Sequence, residues 1–184
     1  MNVIKTDITD LMIIEPNVFK DNRGYFLESY SKQKLEIAHK FFDFIQDNQS
    51  KSNYGVVRGL HYQLAPHAQT KLVRVLQGTI LDVAVDLRKG SPNFGKWFSV
   101  ELSAENFKQL LVPKGFAHGF SVLSETAIVM YKCDSPWDKK SERGIVFNDT
   151  ALNIDWKIPL QQIIISEKDA DLPKFKEADI NFIF

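Results

Sequence analysis

The chain holds little of what marks a disulfide scaffold, a nucleic-acid binder or a membrane protein. Its 184 residues include one cysteine, Cys133, so no intrachain disulfide can form. Cys133 follows an apolar run, Ala127 to Met130, and has no histidine near it in sequence. A buried or half-buried thiol is expected, with a catalytic thiol the weaker reading. Neither charge is in excess: 23 Lys plus Arg balance 23 Asp plus Glu. That balance argues against bulk nucleic-acid binding, which needs a basic surplus. Any anionic ligand must be held by a local cluster. No apolar stretch approaches the roughly 18 residues of a membrane helix. Residues Met1 to Asp7 lack the basic and apolar segments of a secretory leader. A cytoplasmic protein without membrane or nucleic-acid partners is expected. Internal repeats, low-complexity tracts and long linkers are missing too. The length suits a single domain over residues 1–184 with a sizeable core.

Strand patterns dominate what is present. In Thr79 to Leu87, Leu81, Val83, Val85 and Leu87 fall on one face, while Ile80, Asp82, Ala84 and Asp86 fall on the other. Lys71 to Leu76 is a second run, and Gln77-Gly78 reads as the turn of a hairpin joining the two. Further strands are expected near 11–15, 25–30, 43–49, 97–102, 107–112, 117–123 and 126–133. Asp21-Asn22-Arg23-Gly24 and Pro113-Lys114-Gly115 carry turn chemistry. One helix is expected over about residues 31–40, with Ser31 as N-cap and Leu35, Ile37 and Ala38 as its apolar stripe. A shorter one is expected after Ser166, with Glu167 and Asp169 in its first turn. Many short strands in one domain imply a sandwich or barrel.

Four histidines are candidates for chemistry. His39 lies in the expected helix and reads as a surface or packing residue. His67 follows Pro66 in a loop and reads as solvated. His61 and His118 differ, because each sits in a glycine-containing segment: Arg58-Gly59-Leu60-His61-Tyr62-Gln63 and Gly115-Phe116-Ala117-His118-Gly119-Phe120. Glycine there permits close approach of backbone or ligand. No His-x-His pair is present, so the pattern for a barrel metal site is weak, and no metal is expected. Acid–base work is the stronger possibility, since fixed cations such as Arg58 and Lys71 favour the neutral form of a neighbouring imidazole. A carboxylate elsewhere can set its tautomer. Asp82 and Asp86, on one face of an apolar strand, need partners if buried. Arg74 and Lys71, on the expected hairpin partner, are the candidates, and a structural ion pair is the expected reading.

Six stretches now carry a resemblance: EPNVFKDNRGYFLESY (15–30), FIQDNQSKSNYGVVRGLHYQ (44–63), QTKLVRVLQGTILDVAVDLRKGSPNFGKW (69–97), VPKGFAHGFSVLSETAIVMYK (112–132), ERGIVFND (142–149) and ISEKD (165–169). In this order the chain resembles the dTDP-4-dehydrorhamnose 3,5-epimerase family from about Ile14 to Asp169. The resemblance implies an all-β, cupin-like jelly-roll barrel with one or two short helices. It also implies a homodimer with substrate contacts across the interface, and a reaction without cofactor on a 4-keto sugar linked to a nucleoside diphosphate. By position, His61 is similar to the family's general base and Asp169 to the carboxylate that orients it. Lys71 resembles the cation beside the keto oxygen, and Tyr131 the general acid on the opposite ring face. Arg23, Glu28, Gln46, Asn48, Arg58, His118, Glu142 and Lys168 match positions that bind or frame substrate. Phe19 matches an aromatic near the nucleobase.

The implied set is chemically intelligible. Removing a proton beside a ketone leaves negative charge on the keto oxygen, and an ammonium there stabilises charge that exists mainly in the transition state. Inversion needs a base on one face and a donor on the other. Arginines suit the pyrophosphate through bidentate contacts. One departure stands out. The family usually carries an aromatic pair and a proline after the Tyr-Lys step. Here Pro136 takes the first aromatic place and Trp137 the second. Trp137 offers a face for stacking on a base, and packing within a loop is the alternative. The expected reaction is double epimerisation of dTDP-4-dehydro-6-deoxy-D-glucose to dTDP-4-dehydro-L-rhamnose, within dTDP-rhamnose biosynthesis. The alternatives are inversion at C3 or C5 alone, or a GDP- or CDP-linked substrate.

Overall fold

The computed structural model describes residues 1–35 and 42–184. Thirteen strands occur among them: β1 (Asn2–Lys5), β2 (Met12–Glu15), β3 (Val18–Asp21), β4 (Gly24–Leu27), β5 (Gln46–Asn53), β6 (Val57–Gln63), β7 (Lys71–Gln77), β8 (Thr79–Asp86), β9 (Trp97–Ser103), β10 (Gln109–Val112), β11 (Phe116–Val122), β12 (Thr126–Cys133) and β13 (Glu142–Gly144). They form a six-stranded sheet ordered β1-β2-β10-β7-β12-β5, a five-stranded sheet ordered β13-β6-β11-β8-β9, and a separate β3-β4 hairpin. Every pairing within these sheets is antiparallel. The expected all-β, cupin-like barrel is the architecture found.

Alternating side chains build the core between the two large sheets. Val73, Val75, Ala127 and Val129 from the first sheet meet Ile80, Ala84, Phe120 and Val122 from the second. β8 is buried on both faces, because Leu81, Val83 and Val85 on its outer face pack with Leu152, Trp156 and Phe182 of the C-terminal segment. The outer face of the first sheet is covered by Leu35, with Tyr30, Phe42 and Phe44 packed alongside.

The expected β7–β8 hairpin is not formed. β7 bonds to β10 and β12, whereas β8 bonds to β11 and β9. Gly78, at φ +75°, is instead a corner where the chain leaves one sheet for the other. A Cβ there would meet the Thr126 carbonyl oxygen at 2.0 Å. Alternation along two consecutive runs says which residues face inward, but not whether the runs pair. The short β1, β3 and β13 and the seven-residue β6 were not among the expected strands. The turn at Asn22-Arg23 and that before β11 are as expected. So is the helical turn α1 (Glu167–Ala170), whose N-cap Ser166 accepts from the Asp169 N–H. Of the helix expected over 31–40, the described part is a 3-10 turn at Gln33–Leu35. The rest of it, with His39, lies outside the described residues.

The two strand aspartates are fully buried as expected, but their partners differ. Lys71 and Arg74 lie on the facing sheet and pair with neither. Asp86 takes a two-pronged contact from Arg88, Nε to Oδ1 at 2.9 Å and Nη2 to Oδ2 at 2.8 Å, and Ser91 Oγ adds a third bond. The guanidinium also reaches Asp10 and lies over the rings of Phe116 and Phe184. Removing one partner of a buried pair strands the other charge. Asp86→Ala is therefore expected to lower unfolding free energy by about 3–5 kcal/mol, as measured by urea denaturation.

Candidate active site

The inward-facing positions become polar toward one end of the barrel. On β5 the alternate residues Gln46, Asn48, Ser50 and Ser52 are buried or half-buried, while Asp47, Gln49 and Lys51 face solvent. Tyr131 on β12 stands opposite Asn48 and Val73, and Lys71 stands opposite Cys133. From the facing sheet, His61 on β6 is the cross-strand partner of His118 on β11. These groups enclose two adjoining lobes that share His61, Lys71 and Tyr131. The outer lobe, about 170 Å³, is further lined by Gln46, Asn48, Gln63, Gln69, Trp137 and Glu142. The inner lobe, about 230 Å³, adds Ser50, Arg58, His118 and Phe120.

His61 is held from behind. Its Nε2 lies 2.8 Å from Asp169 Oδ1, and the other carboxylate oxygen accepts the Gly59 N–H at 3.2 Å. Burial raises the Asp169 carboxyl, but the His61 hydrogen bond and charge, the Gly59 N–H and Lys168 outweigh it, holding the group below its ordinary 3.8. An ionised carboxylate only accepts, so Nε2 carries hydrogen, and in the neutral imidazole the lone pair is on Nδ1. His118 is bound in parallel fashion, with Nε2 at 2.7 Å from Asp82 Oδ1. The imidazole, the phenol and the ammonium share one cavity, and the ammonium of Lys71 is 5.8 Å from the centre of the Tyr131 ring.

Desolvation sets the protonation states of the other two. Burial pulls the Lys71 ammonium below the ordinary 10.5, opposed by Cys133 once its thiol is ionised and by the Asp82 and Glu142 carboxylates. Burial pushes the Tyr131 phenol above 10.0, with Cys133 adding to the effect and Arg58 opposing it. The phenol thus stays protonated and able to donate. Cys133 is fully buried, and burial raises its thiol, which fits the inert reading.

The remaining expected positions divide by location. Lys168 is ion-paired with Glu142 at 2.9 Å on the rim of the outer lobe. Phe19 and Arg23 are on the β3-β4 hairpin and Glu28 follows it; none lines either lobe. Arg23 pairs with Asp21 at 2.6 Å and Glu28 with Lys34 at 2.8 Å. Expectation had passed over Ser50, Gln63 and Gln69. Gln63 donates to the carbonyl oxygens of His67 and Pro136 and accepts from the Asp138 N–H, while Gln69 donates to the Ser135 carbonyl. The two amides anchor the loop that carries Trp137. The available signal was their position on the rim of inward-facing strands, where polar residues need a reason to be buried.

These features define an isomerase built for proton transfer on a cupin-like barrel, and comparison with known proteins gives its family. The dTDP-4-dehydrorhamnose 3,5-epimerase profile matches residues 5–177. A Shigella flexneri protein of that name is 54% identical over 180 residues, covering 97% of this chain and 98% of the relative. The Elizabethkingia anophelis dTDP-4-dehydrorhamnose 3,5-epimerase structure superposes with a TM-score of 0.93 at 56% identity, covering 96% of this chain and 97% of the other. A Legionella pneumophila structure, in complex with dTDP-4-keto-L-rhamnose, has a TM-score of 0.92 at 47% identity, covering 97% and 94%. The chain belongs to the dTDP-4-dehydrorhamnose 3,5-epimerase family, and it is an isomerase with that activity. No helix among the described residues is long and apolar enough to cross a membrane.

Gly59 makes the arrangement possible. At φ +103°, it brings β6 so near β11 that a Cβ would lie 2.7 Å from the His118 carbonyl oxygen and 2.8 Å from the Gly119 Cα. Gly59→Ala is expected to cost at least about 1–3 kcal/mol in backbone strain. It should also reduce turnover by withdrawing the N–H from Asp169; thermal unfolding and a kinetic assay check both.

Proposed function

We propose that this chain epimerises C3 and C5 of dTDP-4-dehydro-6-deoxy-D-glucose through enolates formed between His61 and Tyr131. The observation that carries the proposal is the common cavity of His61, Lys71 and Tyr131, with Asp169 behind the imidazole. His61 Nδ1 takes the proton from the carbon beside the ketone. The C–H electron pair becomes the new carbon–carbon double bond, and the carbonyl π pair moves to oxygen. The Lys71 ammonium neutralises that oxygen where water is excluded, so its effect exceeds that in bulk solvent. The Tyr131 hydroxyl then delivers a proton to the opposite face. Imidazolium and phenolate return to their starting forms by exchange with solvent. The second carbon next to the same ketone undergoes the same sequence.

Gln46, Asn48, Glu142 and Lys168 frame the substrate from the rim and Arg58 and His118 from the inner wall, while Trp137, with 57% of its surface exposed, presents a stacking face to the thymine. The Bacillus anthracis relative, 49% identical, was solved with TDP and PPi bound, and together with the Legionella complex it supports a dTDP-linked ligand. His61→Ala should leave substrate affinity within a few-fold and lower turnover by roughly two to four orders of magnitude, the usual worth of a general base. In deuterated water the wild type should carry label at both C3 and C5. Label at one carbon alone would contradict double inversion.

The acting species is proposed to be a homodimer in which the β3-β4 hairpin reaches the partner's cavity. Phe19, Tyr25 and Phe26 on this hairpin are 63%, 59% and 70% exposed, an apolar surface that calls for a cover. The hairpin lies outside both large sheets. If Arg23 acts across the interface, mixing inactive His61→Ala with impaired Arg23→Ala should restore activity, since the mixed dimer holds one intact site. A mixture no more active than its components argues for sites complete within one subunit.

A further inference from the structure

A second buried dyad lies behind the inner lobe, and the reaction as proposed leaves half of it unexplained. Asp82 is fully buried, and its Oδ1 accepts from His118 Nε2 at 2.7 Å. Its Oδ2 has no hydrogen-bond partner among the described residues. A buried carboxylate oxygen left unmatched costs free energy comparable to a lost hydrogen bond, so its retention points to a charge that it serves. Lys71 is the matching anomaly: among the described residues, no carboxylate lies within ion-pair distance of this inward-facing ammonium. Asp82 on β8 and Lys71 on β7 belong to facing sheets and point into the same interior, with His118 and Lys71 on the wall of one lobe.

We propose that Asp82, aimed by His118, is a positioning residue whose negative charge keeps Lys71 charged and directed at the substrate's keto oxygen. Held without direct contact, the ammonium is free to bond to the developing oxyanion. A tight Lys–Asp pair would have to break first. This inference rests on the reading of Lys71 as the enolate's cation. The groups facing Lys71 are Cys133 and Tyr131 on β12, Glu142 on β13, Arg58 and His61 on β6, His118 on β11 and Asp82 on β8. Of these, Cys133, Asp82 and Glu142 favour the charged lysine, while burial opposes it.

Activity should therefore fall on the alkaline side as Lys71 loses its proton, below the ordinary lysine value of 10.5. Burial moves the Tyr131 phenol the other way, above 10.0. Removing a neighbouring negative charge makes the ammonium easier to deprotonate. Asp82→Asn should thus move the alkaline limb of kcat to lower pH by roughly one unit, the lower end for a nearby opposite charge, with KM changed less than kcat. A merely structural Asp82 would change thermal stability and leave the limb in place. An unmoved limb in folded Asp82→Asn overturns the proposal. If that variant does not fold, Asp82→Glu retains the charge. Its limb should stay within a few tenths of a pH unit of wild type while kcat falls, and a displacement of a full unit would count against the role. Lys71→Met separates the two readings. If it keeps wild-type turnover, the enolate cation is wrongly assigned. If it is inactive while the Asp82→Asn limb stays fixed, only the role of Asp82 fails.

Discussion

The hydrogen bond between His61 and Asp169 is the contact on which the architecture of the site turns. It joins residues 108 positions apart, one on β6 and one in a single helical turn near the end of the chain. The carboxylate is fixed three ways: by the imidazole, by the Gly59 N–H, and by the Ser166 cap that orders the turn carrying it. Such a bond selects a tautomer as well as an orientation. With Nε2 committed to Asp169, only Nδ1 is free to accept a proton. The C-terminal segment thus serves two purposes. It covers the outer face of β8 with Leu152, Trp156 and Phe182, and it brings to the cavity the one group that gives the imidazole a direction.

The cavity depends on a gradient inside the barrel. Toward one end, the inward positions are Val, Ile, Leu and Phe and form the common core of the two sheets. Toward the other they are Gln, Asn, Ser, His, Lys and Tyr. The apolar part supplies the stability that allows the polar part to be poorly satisfied. An ammonium without a contact carboxylate and a carboxylate oxygen without a donor are both unfavourable in isolation. Set on facing sheets around one interior, the two groups are in place before any substrate arrives. That preorganisation distinguishes an enolising site from a binding pocket.

Much of this was legible from residues alone, and the failures have specific causes. The division of β8 into two faces follows from alternation, and the separate clusters of Ile80 and Ala84 on one side and Leu81, Val83 and Val85 on the other bear it out. Gly59 and Gly119 marked a close approach, which proved to be backbone against backbone. The pairing of β7 with β8 was misread, because a glycine at positive φ serves a sheet-to-sheet corner as well as a hairpin. That error carried over to the partners assigned to the two aspartates, since both assignments presumed adjacent strands. Strands as short as β13, with three residues, carry too few alternations to register.

Local order thus determined the residue types: which side chains are inward, where the chain turns, which short helix is capped, and, through the family pattern, which groups belong to one chemistry. Only the tertiary structure decided which nitrogen of His61 is engaged, that Asp82 is bound to His118 rather than to Lys71 or Arg74, and that Phe19, Arg23 and Glu28 lie apart from the cavity of their own chain. The reason is the range of the interactions. Alternation and capping act over a few residues, whereas a hydrogen bond between β6 and the C-terminal turn exists only after both sheets and the covering segment have closed around it.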